Sequence, residues 1–456
     1  MPASAQVAVD WQVTGSASVG VTDNVANTPE PPEDAGPDVI GPQPDGFGSL
    51  SPAFEVTFET ARATQSLGWA FGYNFYFTHP EANTISNGLS YGLTSEVAPG
   101  TTLTFGVSGS QTNLANFNLL PASGQTAVVA NEGGDNLIFT VGVGQGLSAQ
   151  VAETLVFSQG LSASYAHTFI DEAEDTKTYI AGASLGLTKQ FEVDSLTWAL
   201  GTDTQITPEQ VTEVGLLPAL YEIFHRFDMN WNRQWEEDWS TLLGVGVVVG
   251  WDAAAASQEV VPHPAWRAGV NYANERGTAA LAYEHTIQPN LLLRQATAND
   301  LVTLNGTVPI PDSTFDVGAT AGYQVSRAFL PTTGFGPATS QTVLADLAVG
   351  YVPKSWYVRL ELRYQFSRQF AGTVQEGVAP QPDLERHAGL FTVQFGYPDS
   401  PTAGGASPFV VVPPPTANVD IMQQRAPKNE EGADADKREQ DKERREERER
   451  RGGSGS

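Results

Sequence analysis

Cysteine is absent from all 456 residues. Its absence removes disulfide staples, thiolate catalysis and cysteine-based metal sites together, and it suits an oxidising or cysteine-poor envelope compartment. No apolar run reaches the roughly 20 residues of a membrane helix and no long stretch repeats at helical spacing, which excludes a helical membrane protein. Charge is scarce at 17% of residues, against 40% hydrophobic, and basic charge is scarcer still, with 24 Lys and Arg against 52 Asp and Glu. The segment Arg425–Arg451 holds 10 residues of each sign, so the rest of the chain, with 14 basic and 42 acidic residues, carries the whole formal charge of −28. An acidic body lacks the basic surface that phosphate binding needs, which excludes nucleic acid as a partner. Length alone suggests two or three domains. The uniform patterning described next suggests one.

What the chain has in quantity is alternation. In 356–370, Val358, Leu360, Leu362, Tyr364 and Phe366 share one parity, while Arg359, Glu361, Arg363, Gln365 and Ser367 share the other. Leu67, Trp69, Phe71, Tyr73, Phe75 and Phe77 alternate with small or polar residues in the same way, and so do Leu243–Trp251, Phe315–Val325 and Phe391–Tyr397. The solvent side of a soluble sandwich is normally rich in Lys, Glu and Arg. Here the polar side is mostly Gly, Ser, Thr, Asn and Gln, and the apolar side repeatedly ends in Trp, Tyr or Phe. A transmembrane barrel strand has those features: about nine to eleven tilted residues, an outward apolar band, aromatic girdles and a polar lumen.

The expected fold is therefore all-β, a transmembrane antiparallel up-and-down β-barrel. Turn signals place strands near 12–24, 51–61, 66–78, 85–98, 101–114, 136–147, 150–169, 177–188, 193–205, 223–235, 239–252, 264–274, 277–288, 299–310, 314–328, 340–352, 356–370 and 385–398. The count is about 18, within a range of 16–20, because 150–169 is long enough to project beyond a bilayer and alternation is poor over 289–310. Tight joins at Pro99-Gly100, 236–238, 275–277, 311–313 and 353–355 alternate with longer ones at 25–50, 115–135, 206–222, 253–263, 329–339 and 371–384. Short turns are periplasmic and long loops external in this class, which puts both termini in the periplasm and the protein in a bacterial outer membrane. Sixteen to 18 strands leave an aqueous channel unless something fills it.

The domain reading is a short periplasmic segment at 1–11, the barrel at 12–398, a Pro-rich linker at 399–433, a charged tail at 434–451 and an appended linker at 452–456. Ala3-Ser4-Ala5 has the small-x-small form of a signal-peptidase site and reads as the stub of a trimmed signal. The tail pairs opposite charges four residues apart, as in Asp441 with Arg445, but it has no apolar face, so a solvated helix or a disordered tail is expected. The loop 26–49 is rich in Pro, Glu and Asp and is read as external, although it could fold inward.

Gly15–Val25, closing on Asp23-Asn24-Val25, resembles the opening strand of the β-barrel porin 2 family. The last strand, with Gly389, Phe391, Val393, Phe395 and Tyr397, is similar to the assembly signal of outer-membrane proteins, although residues 398–456 follow it. The resemblance implies an outer-membrane barrel, and members associated with exopolysaccharide export imply that role.

Inward parity nominates Glu55, Glu59, Arg226, Asp228, Arg267, Asp316, Asp346, Arg359, Glu361 and Arg363 as pore-lining residues. A wet lumen tolerates charge, and these groups would set the field felt by a solute, their mixed signs giving weak ion selectivity. Cross-strand ion pairs that stiffen the wall are an equal alternative. The six histidines show no metal-like pairing, and no cofactor or metal is expected.

Three functions follow. One is a channel for a hydrophilic solute or polymer. Another is a member of an export machine, with Phe409, Val410, Val411 and Val412 docking a periplasmic protein. The third is a sealed structural or surface-binding barrel, whose acidic residues Glu172, Glu174 and Asp175 would hold divalent cations beside lipopolysaccharide. A barrel enzyme built on Ser164, His167 and Asp171 is the weaker alternative to this non-enzymatic reading.

Overall fold

The computed structural model describes residues 7–25, 42–113, 137–169, 175–212, 215–217, 219–236, 238–253, 260–290, 295–330, 334–353, 357–370 and 383–397. Its strands are β1 (Ala8–Thr22), β2 (Asp45–Glu59), β3 (Ala63–Tyr76), β4 (Thr84–Ala98) and β5 (Thr101–Asn113). They continue as β6 (Leu137–Ala152), β7 (Leu155–Phe169), β8 (Thr176–Gln190), β9 (Asp194–Thr207), β10 (Gln210–Thr212) and β11 (Gly215–Leu217). Next come β12 (Leu220–Gln234), β13 (Trp239–Asp252), β14 (Val261–Asn274), β15 (Gly277–Asn290) and β16 (Gln295–Pro309). The last are β17 (Phe315–Leu330), β18 (Gly334–Tyr351), β19 (Val358–Phe370) and β20 (Leu384–Tyr397).

Apart from β10 and β11, which form a separate hairpin, these strands make one 18-stranded antiparallel sheet. Each strand pairs with its neighbour in sequence, with β9 pairing directly to β12. The sheet closes where β1 pairs with both β2 and β20, running from Val13 opposite Tyr397 to Thr22 opposite Ala388. Closure leaves no open edge, which is the one way a sheet satisfies its backbone in hydrocarbon. The Asp23-Asn24 pair fastens the seam: Asp23 Oδ1 accepts from the His387 amide at 2.7 Å, and Asn24 Nδ2 donates to the Glu385 carbonyl at 3.0 Å.

All 18 expected strands are present, and several boundaries differ. β1 starts at Ala8 rather than 12, and β2 starts at Asp45, which shortens the first long join. The stretch read as one projecting strand at 150–169 is split by a turn between Ala152 and Leu155. The join expected at 329–339 is mostly strand, since β17 runs to Leu330 and β18 starts at Gly334. At the tight turns, Gly100 (φ 70°) and Gly277 (φ 138°) take backbone angles that other residues rarely adopt.

Burial is inverted relative to a soluble protein. On β19 Leu362 is 63% exposed, whereas Arg359 is 2% exposed. Leu200, Val245, Leu304 and Leu347 form part of the same exposed apolar exterior, which is matched to hydrocarbon rather than to water. Aromatic pairs ring the short-turn end: Trp11 with Tyr397 (5.3 Å), Trp239 with Tyr272 (4.7 Å) and Phe315 with Tyr351 (4.7 Å). At the other end Tyr165 meets Tyr179 (5.0 Å) and His225 meets Trp251 (5.0 Å). Amphipathic rings at both rims are the girdle arrangement of a membrane barrel. The first residue of β1 and the last of β20 lie at the short-turn end.

Leu200 lies at mid-height on β9 and is 56% exposed. Leu200→Arg is expected to destabilise the protein in phospholipid vesicles by about 2–4 kcal/mol, read from urea unfolding. Native-like stability of that variant would show that the exterior does not face lipid.

Candidate functional site

The inner face of β19 carries Arg359, Glu361 and Arg363 at alternate positions, so successive charges stand roughly 7 Å apart along the strand. Glu361 sits between the two arginines. Its Oε2 accepts from Arg359 Nε and Nη2 at 3.3 and 3.2 Å, and its Oε1 pairs with Arg363 Nη2 at 2.8 Å. Arg359 also reaches past β18 to Asp316 on β17, where Nη2 donates to Oδ1 at 2.6 Å and Nη1 pairs with Oδ2. Gly350 on β18 makes that reach feasible, because a Cβ there would collide with the guanidinium. Asp346 completes the chain, 3.7 Å from Arg363 Nε and accepting from Gln365 Nε2 at 3.0 Å. Five of the ten nominated residues thus form one continuous ladder.

A second group lies on β9, β12 and β14. Arg226 pairs with Asp203, and Arg267 Nε donates to Asn230 Oδ1 at 2.6 Å. Asp228 lies within the field of both arginines. Asp203 was not among the residues nominated from the sequence. Its place on the inward parity of 193–205 was the available signal, but its partner two dozen residues away was not.

Glu55 and Glu59 lie apart from both groups. They are exposed on the lower part of β2, opposite Gln12 and Ala8 of β1, and Asp10 lies between those two partners on the same inner face. Among the described residues no ion pair joins these three carboxylates to a cation. The mixed signs therefore do not cancel evenly: the arginines are engaged with partners and an acidic surplus is left near the short-turn end.

The inner face is also graded along its length. On β2, Asp45, Phe47, Ser49 and Ser51 are buried, and exposure rises toward Glu55 and Glu59. On β12, Glu222 and Phe224 are buried, whereas Arg226 and Asp228 are half-buried. On these two strands the inner face is buried toward the long-loop end and more open toward the short turns, whereas on β17 and β19 Asp316, Arg359 and Glu361 are buried close to the short turns.

The enzyme alternative loses its geometry. Ser164 and His167 differ by an odd number of positions on β7 and so face opposite sides of the wall, and His167 Nε2 meets Asp175 at 3.2 Å. Asp171 lies outside the described residues, as do Glu172, Glu174, the 26–41 part of the first loop, and Phe409, Val410, Val411 and Val412. Among the described residues no cluster of three or more His, Asp or Glu side chains could hold a metal ion.

Removing one partner of a buried ion pair strands the other. Arg359→Leu, which leaves Asp316 unmatched and Glu361 with Arg363 alone, is expected to lower unfolding stability by about 3–5 kcal/mol. Adding Asp316→Asn and Glu361→Gln should recover part of the loss. An Arg359→Leu barrel as stable as the native one would show that the ladder does not brace the wall.

No family model and no curated protein matches this chain. Among solved structures, the outer-membrane protein OpdK from Pseudomonas aeruginosa is 10% identical, with 85% of this chain and 99% of that chain covered at a TM-score of 0.43. The siderophore receptor PirA from Acinetobacter baumannii is 6% identical, covering 84% of this chain and 80% of that one at 0.45. The FrpB iron transporter from Neisseria meningitidis is 10% identical, covering 85% and 81% at 0.47. Likeness at this level carries no functional conclusion, and the chemistry is read from this chain's own wall.

Proposed function

We propose that this protein is an outer-membrane channel for small hydrophilic solutes. The observation that carries the reading is the wall itself: 18 strands closed edge to edge, apolar outside, with charged and small polar side chains inside. A barrel of that strand number encloses more space than its own side chains fill. By the rule that short turns face the periplasm, both ends of the barrel chain are periplasmic. Glu55, Glu59, Arg226, Asp228, Arg267, Asp316, Asp346, Arg359, Glu361 and Arg363 then line the lumen, with Arg226, Arg267, Asp316, Asp346, Arg359, Glu361 and Arg363 as wall bracing as much as solute contacts.

Export of a polymer would use the same lumen, with Phe409–Val412 available to a periplasmic protein. Burial of the inner face at the long-loop end favours a small solute over a polymer. The same burial supports a second reading, a sealed structural barrel in contact with lipid and lipopolysaccharide.

Planar-bilayer recording separates the two. A channel gives discrete openings, and a sealed barrel gives none. Because Asp10, Glu55 and Glu59 face inward without cationic partners among the described residues, a salt gradient should give a reversal potential favouring cations. Glu55→Gln with Glu59→Gln should move it toward zero. Openings with an anion preference in the native protein would refute the assignment of these carboxylates to the lumen.

A further inference from the structure

The wall departs from a simple cylinder above one row of residues. β14 and β15 stop pairing at Trp266 opposite His285, although β14 extends to Val261 and β15 continues to Asn290 paired only with β16. β17 also shifts register against β18 between Ser326 and Arg327 and again between Arg327 and Phe329. Bulges of this kind bend a strand and increase its twist.

Past those points, side chains of β15, β16 and β17 meet the inner faces of β12, β13 and β14. Ile287, Ala298 and Phe329 are 2%, 1% and 0% exposed and pack in one cluster with Phe224 and Val248, with Ala265 against it. The Phe329 ring lies 6.1 Å from Phe224 and 4.6 Å edge-on from His263. Gly250 leaves room for these rings, since a Cβ there would come within 2.8 Å of Phe224 and 3.4 Å of Phe329. Phe224 and Val248 have the parity opposite to the exposed Phe227 and Val245, so the contact is on the lumen side.

Distance decides the geometry. β12 and β16 are four steps apart in the wall, which at about 4.8 Å per step is roughly 19 Å along the sheet. Their Cα atoms nevertheless approach within 8 Å. Only an inward fold of the intervening strand tops brings them together.

On the outer side of the crease, Trp266 stacks on His285 at 4.3 Å. His285 Nδ1 and the Tyr283 hydroxyl meet Asp300 Oδ1 at 2.8 and 2.9 Å, and Arg327 lies 3.7 Å from Asp300 Oδ2. A polar row thus interrupts the apolar exterior where the wall turns inward.

We propose that the tops of β15, β16 and β17 form a flap folded into the lumen, which sets the narrowest section of the channel and is latched by Phe329 against Phe224 and His263. The flap is built from wall strands, and its latch is apolar, so it holds by exclusion of water rather than by charge. This inference rests on the channel reading and deepens it by naming the residues that limit solute size.

The test uses the full chain in planar bilayers and in liposomes challenged with sugars of graded size. Phe329→Ala, alone and with Phe224→Ala, is expected to raise single-channel conductance and admit larger sugars, with the native shift in gel mobility on heating retained as evidence of a folded barrel. Because the chain has no cysteine, Phe224→Cys with Phe329→Cys can be joined by a short thiol cross-linker at that one place. Joining should return the widened channel to the native conductance. Openings in a native channel that are the same size in every variant, cross-linked or free, would overturn the flap while leaving the channel. A silent native protein opened by Phe329→Ala would support the flap as a complete seal. Silence in native and variant proteins alike would overturn both.

Discussion

A backbone that crosses hydrocarbon must satisfy each N–H and C=O without help from water. In this protein that requirement is met by closure of an 18-strand sheet on the β1–β20 seam, and the remaining architecture depends on it. Once the sheet is closed, each strand has one face toward lipid and one toward a common interior. Period-two alternation then sorts every side chain to one side or the other. The seam is held by more than its ladder: Asp23 and Asn24 bond to the backbone of β20 at the end where β1 and β20 stop pairing.

Closure also reverses the usual economy of burial. Leucines and valines are the exposed residues, and an arginine is among the most buried. Such a guanidinium is stable only with its donors matched, and Arg359 has two carboxylates for the purpose. The ladder from Asp316 to Asp346 ties three adjacent strands on the side where the sequence closes. The group around Asp203, Arg226 and Arg267 does the same near β12. Small residues between these charged positions are a packing requirement, since Gly350 is where the Arg359 guanidinium crosses β18.

A barrel this wide has interior space that charged pairs alone do not occupy. The strand tops of β15–β17 use some of it, and their apolar contact with β12–β14 is a hydrophobic cluster of fully buried residues in an otherwise inverted protein. That cluster explains why alternation weakens toward 289–310: residues such as Ile287 and Ala298 lie on the lipid-facing parity of their strands yet pack inside. It also explains why Phe329, on the same parity as the exposed Tyr323, has no exposure at all.

Alternation in the chain determined the strand set, the fold class and the side on which each charged residue lies, because a period of two is imposed locally wherever lipid is on one face and water on the other. Nomination of Arg359, Glu361 and Arg363 followed from parity alone. Their partners did not, because Asp346 on the preceding strand and Asp316 on the strand before that meet them only through register. The opposite placement of Ser164 and His167 was also contained in their spacing, as an odd separation on one strand. Only the tertiary structure decided the pairing of the arginines, the acidic surplus left beside Glu55 and Glu59, and the inward turn of the wall above Trp266. Those depend on how distant strands are set against one another and on bulges that break register, and neither is written in the period of a single strand.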